Sequence, residues 1–285
     1  MKKIKNIEEK FFRGLMVFST FLIIAILILI ISSVLYKGIP ALSFKMITQV
    51  PKGGFYFGKE GGILNAIIGS LYISVGSTVL AFLISLPVAF YMNVYLIKKK
   101  KIVNAIRFLL DLLWGIPSIV YGAFGFTLMI YIGMKTSLLA GIITLTLVIL
   151  PIMVRSIDEV VKTLPIGLLE SSLSLGSTKS EAAYSVIFRQ TIPGIVTAIL
   201  LSFGRAIGDA AAVLFTAGYT DYIPTSLTQQ TATLPLAIFF QLSSPIQEVQ
   251  QRAYASAVIL VLIILLVSIL SRVFSLKYKK IKINF

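Results

Sequence analysis

The sequence predicts an all-α, polytopic membrane protein with six transmembrane helices. Of its 285 residues, 57% are hydrophobic and only 13% are charged, whereas soluble domains are about half apolar and about a quarter charged. The apolar residues lie in six long blocks, each near the ~20 residues that a helix needs to cross a bilayer. Lysine and arginine are collected in short tracts between these blocks, as in membrane proteins with a fixed orientation.

The six blocks follow one another along the chain and are separated by polar connections. They cover residues 14–36, 62–97, 103–133, 137–154, 192–218 and 253–275. The first follows a basic stretch like that of a signal peptide, but it is too long and lacks a small-residue cleavage site, so we expect a retained span. The second and third are longer than a span needs and contain Pro87 and Pro117. This predicts tilt, kinks or protruding ends.

The basic residues predict the orientation of the chain. Nineteen of the twenty-six lie in the N-terminal tail, in residues 98–107 and 155–190, and at the C-terminal end. By the positive-inside rule both termini are therefore cytoplasmic. We expect a cytoplasmic tail over 1–13, one membrane domain over 14–276 and a basic tail over 277–285. The net charge of +15 is explained by contact with anionic lipid, so no nucleic-acid partner is expected.

Composition also limits the chemistry. The chain has no cysteine and no histidine, which excludes disulfides, thiol catalysis and the usual zinc or haem ligands. No phosphate-binding G-x-x-x-x-G-K-[ST] loop is present, so the chain is not expected to bind ATP. We expect neither an enzyme nor a resident metal or cofactor.

The largest cytoplasmic loop has the pattern of a helix, a turn and a second helix. It reads "RSIDEVVKTLPIGLLESSLSLGSTKSEAAYSVIFRQTIP" over 155–193. Gly176 suits the C-terminal cap of the first helix. Ser177 or Thr178 suits the N-cap of the second helix, with Glu181 near its start. By pattern alone, such a loop is more often a packing device than a docking site.

The stretch "ESSLSLGSTKSEAAYSVIF" resembles the EAA loop in permease subunits of ATP-binding-cassette importers. That motif is Glu-Ala-Ala, three residues, Gly, nine residues and Ile-x-Leu-Pro. Glu170 and Gly176 match at the right spacing, Ser171 and Ser172 stand in place of the alanines, and Arg189 stands in place of the proline.

Longer stretches are similar to one branch of this family, the A-type (PstA-type) permeases of phosphate importers. They are "GGILNAIIGSLYIS" at 61–74, "GIPSIVYGAFG" at 115–125, "LPIMVRSIDEVVKTLP" at 150–165, "GRAIGDAAAVLFTAG" at 204–218 and "LPLAIFFQLSSPIQEVQQRAYASAVIL" at 234–260. The resemblance implies the six-helix, MetI-like fold of type I importers in a prokaryotic plasma membrane. It also implies that a cytoplasmic ATPase docks on the EAA-like loop at about 155–191, around Glu170, Ser171, Ser172 and Gly176.

The resemblance further implies a set of partners. These are a paralogous C-type permease in a membrane heterodimer, two copies of a cytoplasmic ATP-binding subunit that bring ATP and Mg²⁺, and an extracytoplasmic phosphate-binding protein. Another oxyanion, molybdate or sulfate, is the first alternative for the cargo. A self-sufficient ion-coupled transporter is a less favoured alternative, because no inverted repeat is evident.

The fifth block carries an arginine and an aspartate within apolar sequence. On one helix, Ser202, Arg205, Asp209 and Thr216 would fall within an arc of about 60°. Ionisable residues inside a membrane are costly and are functional candidates by default. The alternative is an ion pair that neutralises itself and serves only structure. In the resembled family, this arginine and the acid four residues later are believed to line the substrate pathway, although that acid is usually Glu.

Two structural expectations concern the third block. Asp111 lies four residues after Arg107, which predicts a local ion pair between them near the cytoplasmic end. The small residues Gly115, Gly122 and Gly125 suggest close helix packing, and Pro117 suggests a bend.

Overall fold

The computed structural model describes residues 2–52 and 60–279, with side chains over 8–52 and 61–274. Eleven α-helices run through this described part: α1 (Lys2–Gly38), α2 (Phe44–Thr48), α3 (Leu64–Phe90), α4 (Lys100–Gly115), α5 (Ser118–Tyr131), α6 (Leu138–Lys162), α7 (Ile166–Ser174), α8 (Lys179–Glu181), α9 (Phe188–Ile207), α10 (Leu234–Leu242) and α11 (Gln247–Lys279). The shorter elements are a 3₁₀ turn (Ile39–Ala41), two π-helical turns (Tyr91–Tyr95 and Ala182–Ile187) and an antiparallel strand pair, β1 (Pro51–Lys52) with β2 (Glu60–Gly61).

The predicted all-α, six-span architecture is confirmed. Five helical stretches are long and apolar enough to cross a membrane, and α4 with α5 makes a sixth if this bent pair is one span. The predicted tails stay predictions. α1 begins at Lys2, so residues 2–13 of the predicted N-terminal tail are helical. α11 continues to Lys279, and residues 280–285 of the predicted basic tail lie outside the described residues.

The third span is bent by 93° between α4 and α5, at the proline that the sequence pointed to. Ile116 has ψ 129°, because the residue before a proline is pushed out of the helical region. Pro117 then precedes the first residue of α5. The Tyr121 hydroxyl donates to the Leu113 carbonyl at 2.9 Å and so bridges the bend.

The fifth span is not one helix over 192–218, and this expectation was wrong. α9 ends at Ile207, and Gly208 caps it. Asp209 then turns the chain, because its Oδ1 accepts the backbone N–H of Ala212 at 2.9 Å. Glycine and aspartate both favour such breaks over continued helix. The chain from there to Gly218 is turns and bends.

The core is formed mainly by α3 and α6, which pack along their length. Most of the positions that α3 buries carry small side chains, including Ala66, Gly69, Ser70, Ser74, Ser77, Ala81 and Ser85. Small residues let helix backbones approach closely in a membrane. The predicted packing role is confirmed for Gly122, which lies against the Ala211 and Ala212 carbonyls, and for Gly125, which lies against Thr144. Gly115 has nothing within 4 Å of its position for a Cβ and does not share that role.

The close approach at Gly69 gives a test of this packing. A Cβ there would collide with the Ala232 carbonyl oxygen and the Thr231 hydroxyl. We therefore expect Gly69→Ala to destabilise the folded protein by roughly 1–3 kcal/mol, as overpacking does elsewhere. Thermal unfolding in detergent measures this, with Gly14→Ala as the matched control, because nothing lies within 4 Å of a Cβ at Gly14. Equal melting temperatures for the two variants would contradict the close packing.

Candidate functional site

The charged pair of the fifth block is formed at the end of α9. Arg205 lies in the last turn of the helix, and its Nη2 is 2.9 Å from Asp209 Oδ2. This contact is an ion pair but not a hydrogen bond, because no donor among the described residues points at Asp209 Oδ2 with suitable geometry. The other oxygen, Oδ1, accepts from the Ala212 N–H. One carboxylate therefore both holds the arginine and fixes the turn that ends the helix.

The four predicted pathway residues do not share one helix face. Ser202, Asp209 and Thr216 are buried, whereas the Arg205 side chain is 46% exposed. The Ser202 hydroxyl has no hydrogen-bond partner among the described residues. The Thr216 hydroxyl donates back to the Ala212 carbonyl at 3.4 Å. Within the described part of the chain neither hydroxyl bonds to Arg205: Ser202 lies on α9 with the arginine but is buried, and Thr216 lies beyond the end of that helix. The structure brings together only the arginine and the aspartate.

Arg205 opens onto an uncovered surface of α9. Gly204 beside it has nothing within 4 Å of a Cβ position, and Leu201 one turn earlier is exposed. In the described residues, only Asp209 contacts the guanidinium. By contrast, Arg107 and Arg155 each meet two or more polar partners. A guanidinium has five N–H donors, so Arg205 keeps donors for an anion.

The predicted coupling loop is present as a compact helix–turn–helix. α7 ends at Ser174, two residues before Gly176, whose φ of +86° suits glycine better than any other residue. The Thr178 side chain accepts from the Glu181 N–H, and the Glu181 carboxylate accepts from the Thr178 N–H, which makes a complete capping box. The loop is shorter than expected, since residues 155–162 continue α6.

The outer surface of this loop carries the residues expected to dock a partner. Glu170, Ser171 and Gly176 are exposed, and Ser172 is half-buried because its hydroxyl bonds to the Ser177 hydroxyl at 2.7 Å. Leu175 is 89% exposed at the tip. Leu169 on the opposite side of α7 is buried. An apolar tip on an anchored, locally rigid turn is typical of a surface that seats in a partner.

A buried carboxylate near the same end was missed from the sequence. Asp158 is fully buried and pairs with Arg107 at 2.9 Å and Arg155 at 2.8 Å. Arg155 also pairs with Asp111 at 2.7 Å. The predicted local pair between Arg107 and Asp111 was therefore wrong: both residues reach from α4 to α6 instead. The signal available for it was the position of Asp158 three residues after Arg155 in an otherwise largely apolar stretch.

Comparison with known proteins shows the family to which the chain is similar. Residues 85–280 match the family described as binding-protein-dependent transport system inner membrane component. The phosphate transport system permease protein PstA of Pasteurella multocida is 33% identical over 248 residues, 86% of each chain. PstA of Haemophilus influenzae is 30% identical over 273 residues, 95% of this chain and 94% of the relative. A probable PstA of Methanocaldococcus jannaschii is 32% identical over 268 residues, 93% and 92% of the two chains.

Solved structures agree in fold. A chain of the inward-facing MetNI methionine ABC transporter superposes with a TM-score of 0.62 at 20% identity, over 74% of this chain and 94% of that one. A chain of an amino acid ABC transporter with histidines gives 0.57 at 19% identity, over 75% and 93%. These likenesses confirm the MetI-like architecture. By its sequence match and its fold, the chain belongs to the inner membrane components of binding-protein-dependent transport systems.

Proposed function

We propose that this chain is the A-type (PstA) permease subunit of an ATP-driven, binding-protein-dependent importer of inorganic phosphate. The observation that carries the proposal is the similarity, over most of the chain, to phosphate permeases of several organisms. The half-exposed Arg205 at the end of α9 supports it with suitable chemistry.

Phosphate suits Arg205 because a guanidinium is always charged and presents a planar fork of donors to two oxygens. Asp209 has both oxygens engaged, one by Arg205 and one by the Ala212 N–H. This supports a role in holding the guanidinium while the site is empty. A phosphate that still carries a proton can share the Asp209 oxygen that faces Arg205, whereas sulfate has no proton to offer at neutral pH. This favours phosphate over sulfate and molybdate.

The partners follow from the same proposal. The uncovered surface around Leu201, Gly204 and Arg205 faces the C-type permease paralogue, so that the pathway lies between two dissimilar halves. The exposed tip of the coupling loop seats in one of two cytoplasmic ATPase subunits, which bring ATP and Mg²⁺. The polar connection between Gly218 and α10 faces the phosphate-binding protein on the other side of a prokaryotic plasma membrane. Both termini are cytoplasmic.

The charged pair is tested by four variants. We expect Arg205→Ala to lower phosphate uptake roughly ten- to a hundredfold, the loss of charge-assisted hydrogen bonds worth about 1.5–3 kcal/mol. Arg205→Lys keeps the charge without the fork and retains weak uptake. Asp209→Asn keeps an acceptor for the Ala212 N–H, yet we expect impaired uptake and weaker discrimination against sulfate. Uptake of labelled phosphate in proteoliposomes with the complete assembly measures all of these.

The fourth variant separates transport from a purely structural pair. Arg205→Ala with Asp209→Asn removes both charges while the turn at Ala212 keeps its acceptor. A structural pair predicts that this double variant recovers uptake. A phosphate contact predicts a complex that assembles with its ATPase and stays inactive. Recovery of uptake would refute the phosphate contact.

The coupling loop is tested at Gly176, whose φ is +86°. Valine is strained there by at least about 1–2 kcal/mol, whereas asparagine tolerates this conformation. No atom lies within 4 Å of a Cβ at this position, so the effect is conformational and not steric. We expect Gly176→Val to insert normally and to lose phosphate-stimulated ATP hydrolysis, and Gly176→Asn to keep it. Full stimulation in the valine variant would remove the docking role of this turn.

Orientation is tested by reporter fusions. Fusions after positions 10, 100, 175 and 280 are expected to report the cytoplasm, and fusions near 50 and 230 the exterior, because nineteen of the twenty-six basic residues lie on the first side. An exterior signal at 175 would put the coupling loop out of reach of any cytoplasmic ATPase and would contradict the proposal.

A further inference from the structure

An amide on a π-helical turn is bonded to the buried carboxylate of Asp158. Asn93 lies in the π turn Tyr91–Tyr95, which continues α3. Its Nδ2 donates to Asp158 Oδ1 at 2.8 Å and to the Ala89 carbonyl at 2.8 Å. Arg107 of α4 donates two hydrogen bonds to the same carboxylate, from Nε to Oδ2 and from Nη2 to Oδ1, both at 2.9 Å. Asn93, Arg107 and Asp158, here called the junction, thus join α3, α4 and α6 at one point.

The π turn also contacts the coupling loop. The Tyr95 hydroxyl and the Ser180 hydroxyl are 2.7 Å apart, and the Lys179 ammonium lies 5.6 Å from the centre of the Tyr95 ring. The Phe90 ring, just before the π turn, meets the Tyr184 ring edge-on at 5.7 Å. Tyr184 itself lies in the second π turn, Ala182–Ile187. The first π turn is therefore linked to α8 by a hydrogen bond and a cation–π contact, and the end of α3 is linked to the second π turn by an aromatic pair.

This arrangement leaves room for movement around Asn93. The residue borders a cavity of about 190 Å³ behind α7, with Leu164 and Leu169 in its wall. It also borders a second cavity of about 230 Å³ towards α4, with Asn104 and Arg107 in its wall. Single π turns inside α-helices occur often at functional sites. A π turn with space on both sides is suited to move as a unit.

We propose that Asn93 is a positioning residue for coupling: it carries displacement of the coupling loop through Asp158 and Arg107 to the bent third span, α4–α5. The inference rests on the proposed function, in which that loop docks an ATPase. The Asp158 carboxylate cannot leave its cations without stranding buried charge, so α4 and α6 move together when it moves. The Asn93 amide is the link between this charged group and the π turn that the loop contacts. In proteins, a small displacement at one site usually moves a distant element through packed elements that have two discrete arrangements.

The test is Asn93→Leu, which keeps the number of side-chain heavy atoms and leaves every ion pair of Asp158 in place. It removes all three hydrogen bonds of the amide, including the one that Oδ1 accepts from Arg107 Nη2 at 3.5 Å. Asn104→Leu is the matched control, because Asn104 is an exposed amide on the other wall of the same cavity. In the complete assembly we expect Asn93→Leu to keep ATP hydrolysis within about twofold and to lower phosphate imported per ATP about tenfold. Asn104→Leu should match the parent protein in both.

A second measurement does not depend on the cargo. The chain has no cysteine, so Ser174→Cys in α7 and Leu112→Cys in α4 can carry spin labels without background. We expect a non-hydrolysable ATP analogue to change the distance between the labels in the parent complex. The same change should be absent in Asn93→Leu. A residue that only stabilised the fold would alter the melting temperature and leave the ATP-to-phosphate ratio and the label response intact.

The outcomes are distinct. A parent complex with neither ATP-driven uptake nor a nucleotide response overturns the proposed function and the inference with it. A parent complex that imports phosphate, beside an Asn93→Leu variant with the same ratio and label response, overturns the inference alone. If Asn93→Leu does not assemble, Tyr95→Phe decides, since it removes the hydroxyl contact to Ser180 from an exposed position. We expect a lowered ratio there too, and normal coupling in that variant overturns the inference.

Discussion

Lipid solvates apolar side chains about as well as a protein interior does, and this constraint decides how the bundle is held together. Burial of apolar surface alone therefore does not stabilise the association of two spans. Close packing of the helix backbones and hydrogen bonds between polar groups stabilise it instead. α3 accordingly buries glycine, alanine and serine along its length. Its Ser70 hydroxyl accepts the Leu234 N–H at 2.7 Å, which ties the start of α10 to the core. Over the described side chains of α1, residues 8–38, no such row is present, and the helix is buried only near its end, where Gly38 lies against the Tyr254 backbone.

The same constraint explains the break in the fifth span. Backbone groups outside regular helix are tolerated at membrane depth only where protein or a water-filled path surrounds them. The turns after Gly208 meet this requirement, because Ala212, Val213 and Ala217 are buried. The Thr216 carbonyl accepts the Ser137 N–H at 2.9 Å, so that part of the irregular chain is capped by the start of α6. Arg205 is held at the edge of this region, where a helix ends and donors are free.

Charge is used in two different ways at the two sites. At Asp158 a fully buried carboxylate is surrounded by cations and an amide, so it joins helices and leaves little to offer a ligand. At Arg205 the guanidinium has one carboxylate contact and an exposed side chain. The first arrangement is suited to transmitting movement, and the second to meeting an anion. The exposed loop around Gly176 lies beside the first, so contacts run from this surface to the interior of the bundle.

Composition and block length were sufficient to predict an all-α membrane protein, its six spans and the proline bend, because membrane crossing imposes length and polarity on every span. The turn at Gly176 and an N-cap at Ser177 or Thr178 were also readable, since each is a local structure specified by a few adjacent residues. The structure selects Thr178, which forms a capping box with Glu181. The sequence did not predict the end of α9 at Ile207 or the partners of Arg107 and Asp111. Spacing along the chain favoured a local ion pair, but the bend and the packing of α4 on α6 bring Asp158 and Arg155 within reach. Contacts between residues about fifty positions apart depend on how helices pack, and only the tertiary structure decides that.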